Sequence, residues 1–254
     1  MSPKPKKPDG ARTPVALQLW SIREEVKRDF SAAVAAVAEI GYDGVELAGY
    51  GNLDAKGARQ ALDAAGLGVA GMHVGYAALT NDIQGVIGDA LTVGARNVVC
   101  PFWPPSHFVS AAACERLGEL LGEVGRSLNP FGIRFGFHNH ASEFKVFDGR
   151  PAMEWILGAA EPRHLFAEVD VYWAQFAGYP PGKFIRDQGS RVPLLHLKDS
   201  KELGTGPVEF GDVFAASDSV GAAEWFIIEQ EDYSHSPMKS VGICYEQMKA
   251  WGRA

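Results

Sequence analysis

The sequence predicts an α/β fold, a single closed (β/α)8 barrel, on three observations. Apolar strand-like runs alternate with helix-like runs from Pro14 onward. Four of these runs (residues 135–138, 166–170, 192–196 and 225–229) each end in a residue able to bind a metal ion: His138, Asp170, His196 and Glu229. Their spacing of roughly thirty residues is that of a strand followed by a crossover helix, which brings consecutive strand ends to one end of one parallel sheet. The length of 254 residues is near the roughly 250 typical of one such barrel.

Residues 14–20 (PVALQLW) form an apolar run suited to a buried first strand. Phe30, Val34, Val37 and Ile40 recur at helical spacing, so Phe30–Ile40 reads as a helix that Gly41 ends. Gly44–Leu47 is the second strand, Ala55–Ala65 a helix closed by Gly66, and 67–73 the third strand. Helix Ile83–Val93 ends at Gly94 and leads to strand Asn97–Cys100. The long helix Ala111–Leu128 precedes a strand at 133–138, and a helix at 152–159 precedes one at 165–170. A weaker helix at 183–188 leads to Leu194–Leu197. Residues 213–216 begin a short helix before a strand at 226–229, and 238–251 is the closing helix. Strict alternation of this kind requires a parallel sheet covered by helices. An open doubly wound sheet is the alternative, but no GxGxxG fingerprint follows the first strand.

No linker interrupts residues 14–254, which read as one domain; residues 1–13, with Lys4, Lys6 and Lys7 among prolines, read as a disordered tail. Hydrophobic content of 46% and charged content of 22% are ordinary for a chain with a real core. The net charge of −7 argues against nucleic acid as a partner. Cys100, Cys114 and Cys244 are odd in number and scattered, so a disulfide framework is not expected. No run has the apolar length of a signal core or a membrane span, so the expectation is a soluble, cytoplasmic protein.

Polar residues at the C-terminal strand ends of such a barrel face a shared pocket. Here they are Gln18, Glu46, His73, Trp103, His138, His140, Asp170, His196, Lys198 and Glu229. A lone strand-end His is more often a satisfied core residue than a ligand. Four consecutive strands that each supply a ligand type are harder to dismiss, and two His, one Asp and one Glu make a divalent-cation shell. His138 and His140 share a strand face; the deeper His138 is the metal candidate and His140 the substrate contact. The alternative is that one His binds the metal while the other bonds a carboxylate such as Glu143 or Glu168. Glu168 and Asp170 also share a face, and the terminal Asp170 is the choice. Lys198 either supports a developing oxyanion or is an ordinary surface lysine. Glu229 is favoured over Glu231, which with Asp232 reads as solvated loop charge. Trp103-Pro104-Pro105 reads as a pocket wall or as loop packing, and Gly204-Thr205-Gly206 is too short to assign to phosphate. Ser21 and Ser106 lack a nucleophile-elbow context.

The segments GYDGVELAGY, GMHVGY, GFHNHASEF, EVDVYW, LLHLKD, GTGPVEFGDVFAA and FIIEQE resemble the sugar phosphate isomerase/epimerase-like group of the xylose-isomerase-type TIM-barrel superfamily. The resemblance runs from about Val15 to the C-terminus. It implies one divalent cation, manganese first and zinc, cobalt or magnesium as alternatives, held by His138, Asp170, His196 and Glu229, the four residues that spacing alone selects. It also implies that Glu46 and His73 line a sugar pocket, and that Trp173 stands where keto-sugar epimerases carry a substrate-contacting His. A homo-oligomer packed through the barrel-mouth loops is a further implication. One departure concerns the fifth strand, where keto-sugar epimerases have a Glu paired with the eighth-strand Glu and this chain has His138. That leaves His140 or Glu143 for the second acid/base role, or a different reaction.

The expected chemistry is metal-assisted proton transfer next to the carbonyl of a keto-sugar or sugar-like polyol, with Glu229 as base and Lys198 supporting the oxyanion. Return of the proton to the same carbon is epimerisation, and to its neighbour isomerisation. The alternative is a dehydratase or lyase that expels a β-substituent from a keto-sugar of the 3-keto-glycoside type, which suits a His-rich fifth strand. Cleavage of damaged DNA requires more metal ligands and a basic face, and a non-catalytic binding protein has no use for a full ligand set.

Overall fold

The computed structural model describes residues 12–254. The tail expected at 1–13 lies outside the described residues except for its last two, of which Arg12 pairs with Asp43 at 2.7 Å. Eight parallel strands close into a barrel: β1 (Val15–Gln18), β2 (Gly44–Leu47), β3 (Gly68–His73), β4 (Asn97–Cys100), β5 (Arg134–His138), β6 (Phe166–Asp170), β7 (Leu194–Leu197) and β8 (Trp225–Ile228). Each strand pairs with its neighbours in sequence, and β8 closes on β1 with Ala16 opposite Ile227. The helices between strands follow the sequence reading closely. Those at Phe30–Ile40, Ala55–Ala65, Ile83–Val93 and Ala111–Leu128 start at the side-chain caps Asp29, Asp54, Asp82 and Ser110, which accept orphan backbone N–H groups.

The additions to that reading are short. A 3-10 turn at Leu19–Ile22 and a helix at Arg23–Arg28 follow β1, a helix at Tyr76–Asn81 follows β3, and Val171–Phe176 follows β6 directly. A two-stranded ribbon, Val146–Phe147 with Arg150–Pro151, lies between β5 and the helix Ala152–Gly158. No helix among the described residues is long and apolar enough to cross a membrane. All three cysteines are buried and free.

Strand parity sorts the apolar residues into two clusters. Val15, Leu17, Phe135, Phe137, Val169, Leu195 and Ile228 pack outward against the helices. Ala16, Ala70, Val99, Phe166, Leu194 and Ile227 form a separate cluster that fills the barrel interior. The polar residues Gln18, His138, Glu168, Asp170 and His196 have the parity of the interior cluster and stand one or two steps nearer the C-terminal end. The parallel register then sets Gln18 beside Glu46, His138 beside Glu168 and Asp170 beside His196. A register shift at Val45/Glu46 marks the edge of this polar layer.

Candidate active site

His138, Asp170, His196 and Glu229 converge at the C-terminal mouth, with one donor atom from each lying within 4.8 Å of the others and all four residues buried. Asp170 is placed by three contacts. Its backbone N–H donates to Asn139 Oδ1 at 3.0 Å, and its C=O accepts from Asn139 Nδ2 at 3.1 Å. Its Oδ1 caps the helix Val171–Phe176 by accepting from Trp173 N at 2.8 Å. Oδ2 is buried with no hydrogen-bond partner. Burial pushes the Asp170 carboxyl up to about 7; the Lys198 cation opposes this and the Glu229 charge adds to it.

Glu229 follows β8 and is held by Leu197 O, which accepts its N–H at 3.2 Å. Its Oε2 lies 3.4 Å from Lys198 Nζ and 3.5 Å from His196 Nδ1. Burial would raise this carboxyl, but His196 and Lys198 outweigh it and bring it down to about 2. Lys198 is not a surface lysine. It is 4% exposed, pairs with both Glu229 and Glu231, and stands 5.2 Å from the centre of the Trp173 ring. Burial works against its charge, yet the carboxylates of Glu229, Asp170 and Glu231 raise its pKa. Glu231 is an exposed loop charge, as its position suggests, but it also binds Lys198 and accepts from Trp20 Nε1 at 3.2 Å.

Above the cluster opens a cavity of about 410 Å³ whose lining includes His73, His138, His140, Glu229 and Glu231, with Trp20 and Phe102 as aromatic walls. The His140 ring lies 5.1 Å from that of His138 and 5.5 Å from Trp173. Its Nδ1 and the Trp173 Nε1 are buried without partners. Burial lowers the His140 pKa, and the charges of Glu229 and Glu231 oppose this. Glu143 sits behind this residue, accepting the His140 backbone N–H at 3.0 Å, and is absent from the cavity lining. Burial raises its carboxyl to about 7. Trp103 is a correction: it packs on Tyr76 at 4.4 Å and His107 at 5.9 Å, and its neighbour Phe102 takes the cavity wall. β4 ends at Cys100, so strand parity no longer tells which ring faces in.

Below the cluster lies a second polar layer. Glu46 and Glu168 are both fully buried. Glu46 Oε2 accepts from His196 Nε2 at 2.7 Å and from Gln18 Nε2 at 2.7 Å. Glu168 Oε2 accepts from His73 Nε2 at 2.7 Å and His138 Nδ1 at 3.1 Å. The sequence reading set Glu46 on the pocket wall, whereas its carboxylate lies in this layer and only His73 reaches the cavity. Burial alone would lower the His73 pKa, but the two carboxylates raise it to about 10. Gly204-Thr205-Gly206 forms no anion cradle, because Gly204 N and Gly206 N already donate to Asp199 Oδ2 at 3.2 and 3.0 Å.

The mouth cluster suits a divalent cation on its own chemistry. Two imidazoles and two carboxylates are a borderline-hard donor set, and both Asp170 Oδ2 and His196 Nδ1 are buried atoms left without a partner. The cluster can therefore hold a metal ion through His138, Asp170, His196 and Glu229.

The comparisons agree with this architecture. No curated protein matches the sequence. Among solved structures, a sugar phosphate isomerase/epimerase from Parabacteroides distasonis superposes with a TM-score of 0.83 at 20% identity, covering 96% of each chain. A D-allulose 3-epimerase from Methylomonas sp. in complex with D-allulose gives 0.71 at 15% identity, over 96% of this chain and 98% of the other. A probable 3-DHS dehydratase from Bacillus anthracis gives 0.73 at 11% identity, over 93% and 98%. At these identities the likeness is one of fold. Residues 34–251 match the family described as xylose isomerase-like TIM barrel, and the chain belongs to that family.

Proposed function

We propose that the protein is a divalent-metal-dependent enzyme that moves a proton next to the carbonyl of an uncharged keto-sugar, as an isomerase or epimerase. The observation that carries this reading is the convergence of His138, Asp170, His196 and Glu229, two of them with orphaned buried atoms, at the floor of a cavity that His140 also faces. A cation held there, manganese first, supplies Lewis-acid stabilisation of charge developing on a carbonyl oxygen. Glu229, the cluster carboxylate that borders the cavity, takes the α-proton on Oε1 or Oε2, and His140, protonated as the conjugate acid for this direction of reaction, delivers a proton to the opposite side of the substrate. Lys198 keeps Glu229 ionised, and Trp173 stands over the lysine. His140, which borders the cavity with Nδ1 unpartnered, is placed to meet a sugar hydroxyl, whereas Trp173 does not border the cavity.

The cavity lining contains no Lys or Arg among the described residues and does contain Glu229 and Glu231, which favours an uncharged substrate over a phosphorylated one. D-Allulose and D-fructose incubated with Mn2+-loaded protein in D2O test the reading. Deuterium entering next to the carbonyl, and its loss in Glu229→Gln, are expected. No exchange with these or other free ketoses, under conditions where Mn2+ is bound, would count against it.

His140 also favours a second reading. An imidazole at the cavity wall with a free nitrogen suits protonation of a leaving group, so elimination from a keto-sugar or keto-glycoside uses the same first step. An unsaturated or cleaved product, in place of exchanged sugar, identifies that reaction.

A further inference from the structure

Glu46 and Glu168 take no part in the proton transfer above, since both are fully buried and neither borders the cavity. A pair of ionisable side chains at the centre of a barrel is costly unless every polar contact is used. Oε1 of each has no partner, so their contacts fall on Oε2, which meets Gln18 or His73 and also an imidazole of the mouth cluster. Glu46 Oε2 faces His196 Nε2 at 2.7 Å, and Glu168 Oε2 faces His138 Nδ1 at 3.1 Å. We infer that Glu46 and Glu168 are positioning residues that fix which ring nitrogen of His196 and of His138 is free to bind the cation. The inference rests on the metal site proposed above.

A carboxylate only accepts, so the nitrogen it faces must carry the proton. A neutral imidazole has one N–H, and its other nitrogen then keeps a lone pair. For His196 that nitrogen is Nδ1, which is buried, has no hydrogen-bond partner and lies 3.5 Å from Glu229 Oε2. For His138 the same logic leaves Nε2, on a residue that borders the cavity.

The proton positions are set from farther back. Trp20 N donates to Gln18 Oε1 at 3.1 Å, which fixes the Gln18 amide with its nitrogen as donor. That nitrogen serves Glu46 Oε2 at 2.7 Å and His73 Nδ1 at 3.2 Å. His73 sends its Nε2–H to Glu168 at 2.7 Å, the carboxylate that also faces His138. One backbone N–H on the turn after β1 thus orients Gln18 toward Glu46, the carboxylate that faces His196. The same atoms also form a second group with ligand character, His73, His138, Glu168 and His196. Loading that group with its own cation would strip His138 Nδ1 and His196 Nε2 of their protons. The mouth cluster uses the opposite nitrogens of the same rings, so one ion per chain is the favoured occupancy.

Mn2+ binding followed by the EPR signal of the free ion, with the visible spectrum of bound Co2+, tests this on the full chain. Wild type is expected to take one Mn2+ per chain. Glu46→Gln and Glu168→Gln, isosteres that confuse donor with acceptor, are each expected to weaken binding about 10- to 100-fold. Each should also shift the Co2+ bands, a change that general destabilisation does not produce. Gln18→Met leaves every carboxylate and imidazole in place and reports if a Gln variant does not fold; weaker Mn2+ binding is expected there too. Unchanged affinity and Co2+ bands in the folded variants overturn the inference, as does a second Mn2+ in wild type that is lost in Glu168→Gln. Wild type that binds neither Mn2+ nor Co2+ overturns the metal reading itself, a result distinct from the other two.

Discussion

Gly136 and Phe166 share one volume inside the barrel: a Cβ on Gly136 would lie 2.3 Å from Cε2 of the Phe166 ring. The two are register partners on β5 and β6, directly below His138 and Glu168. Phe166 fills the interior cluster because Gly136 leaves the space. Gly136→Ala forces the ring or the strand to move, and overpacking of this kind costs about 1–3 kcal/mol. The expected result is a thermal midpoint lower by about 2–4 °C per kcal/mol for a chain of this size, read by circular dichroism. An unchanged midpoint would contradict the packing.

This pair also shows where the sequence stops being legible. Strand ends follow from alternation and spacing, and the mouth cluster with them, because a parallel register carries each terminal residue to the same rim. Depth inside the barrel is a different quantity. Order along β6 sets Asp170 nearer the mouth than Glu168, as the sequence reads them, but the stagger of β5, β6 and β7 decides which residues of the neighbouring strands share each layer. Glu46 is placed low by the same stagger, helped by Gly71, where a Cβ would meet Glu46 Oε1 at 2.7 Å. Beyond the strands parity fails altogether, which is why Phe102 rather than Trp103, and Glu231 as a partner of Lys198, emerge only from the structure. The helix Val171–Phe176 was hidden for a related reason: its cap is Asp170, a residue that already had a reading as a ligand.

Glu202 ties the loop after β7 to the last helix, accepting from Ser240 Oγ at 2.6 Å and from Ser234 N at 2.9 Å. Burial would raise its carboxyl, but these hydrogen bonds outweigh it and hold it at about 2. A carboxyl depressed in the folded state stabilises the fold above the unfolded value of about 4.3 and loses that contribution as pH falls toward the folded value. Urea unfolding between about pH 5 and pH 3 is therefore expected to show wild type losing more stability than Glu202→Gln. Parallel loss in the two proteins would remove Glu202 from the account.

Substrate charge is open to direct measurement. The loop after β7, where barrels commonly bind phosphate, has its Gly204 and Gly206 amides committed to Asp199. Lys198, the one buried lysine among the described residues, is neutralised by Glu229 and Glu231. D-Fructose 6-phosphate is therefore expected to protect the Mn2+-loaded protein against heat no better than D-fructose does. Protection by the phosphate ester at concentrations tenfold lower would reverse the assignment of an uncharged substrate.

His140 and Glu143 compete for the second acid/base role, and the structure separates them by position. His140 borders the cavity with Nδ1 free. Glu143 is 1% exposed and turned to the His140 backbone amide. A group must come within hydrogen-bond reach of the proton it moves before its pKa matters, so a carboxyl at about 7 in the wrong place contributes nothing to the chemistry. His140→Gln is expected to lower deuterium exchange by about 10²- to 10⁴-fold, the usual contribution of a positioned acid or base, while Mn2+ affinity holds. Glu143→Gln keeps an acceptor for the His140 amide and is expected to leave exchange within a few-fold of wild type, with any cost appearing in the thermal midpoint. The opposite ranking, with Glu143→Gln nearly inactive and His140→Gln nearly normal, would mean that the loop at Ser142–Phe144 swings its carboxylate into the cavity when substrate binds.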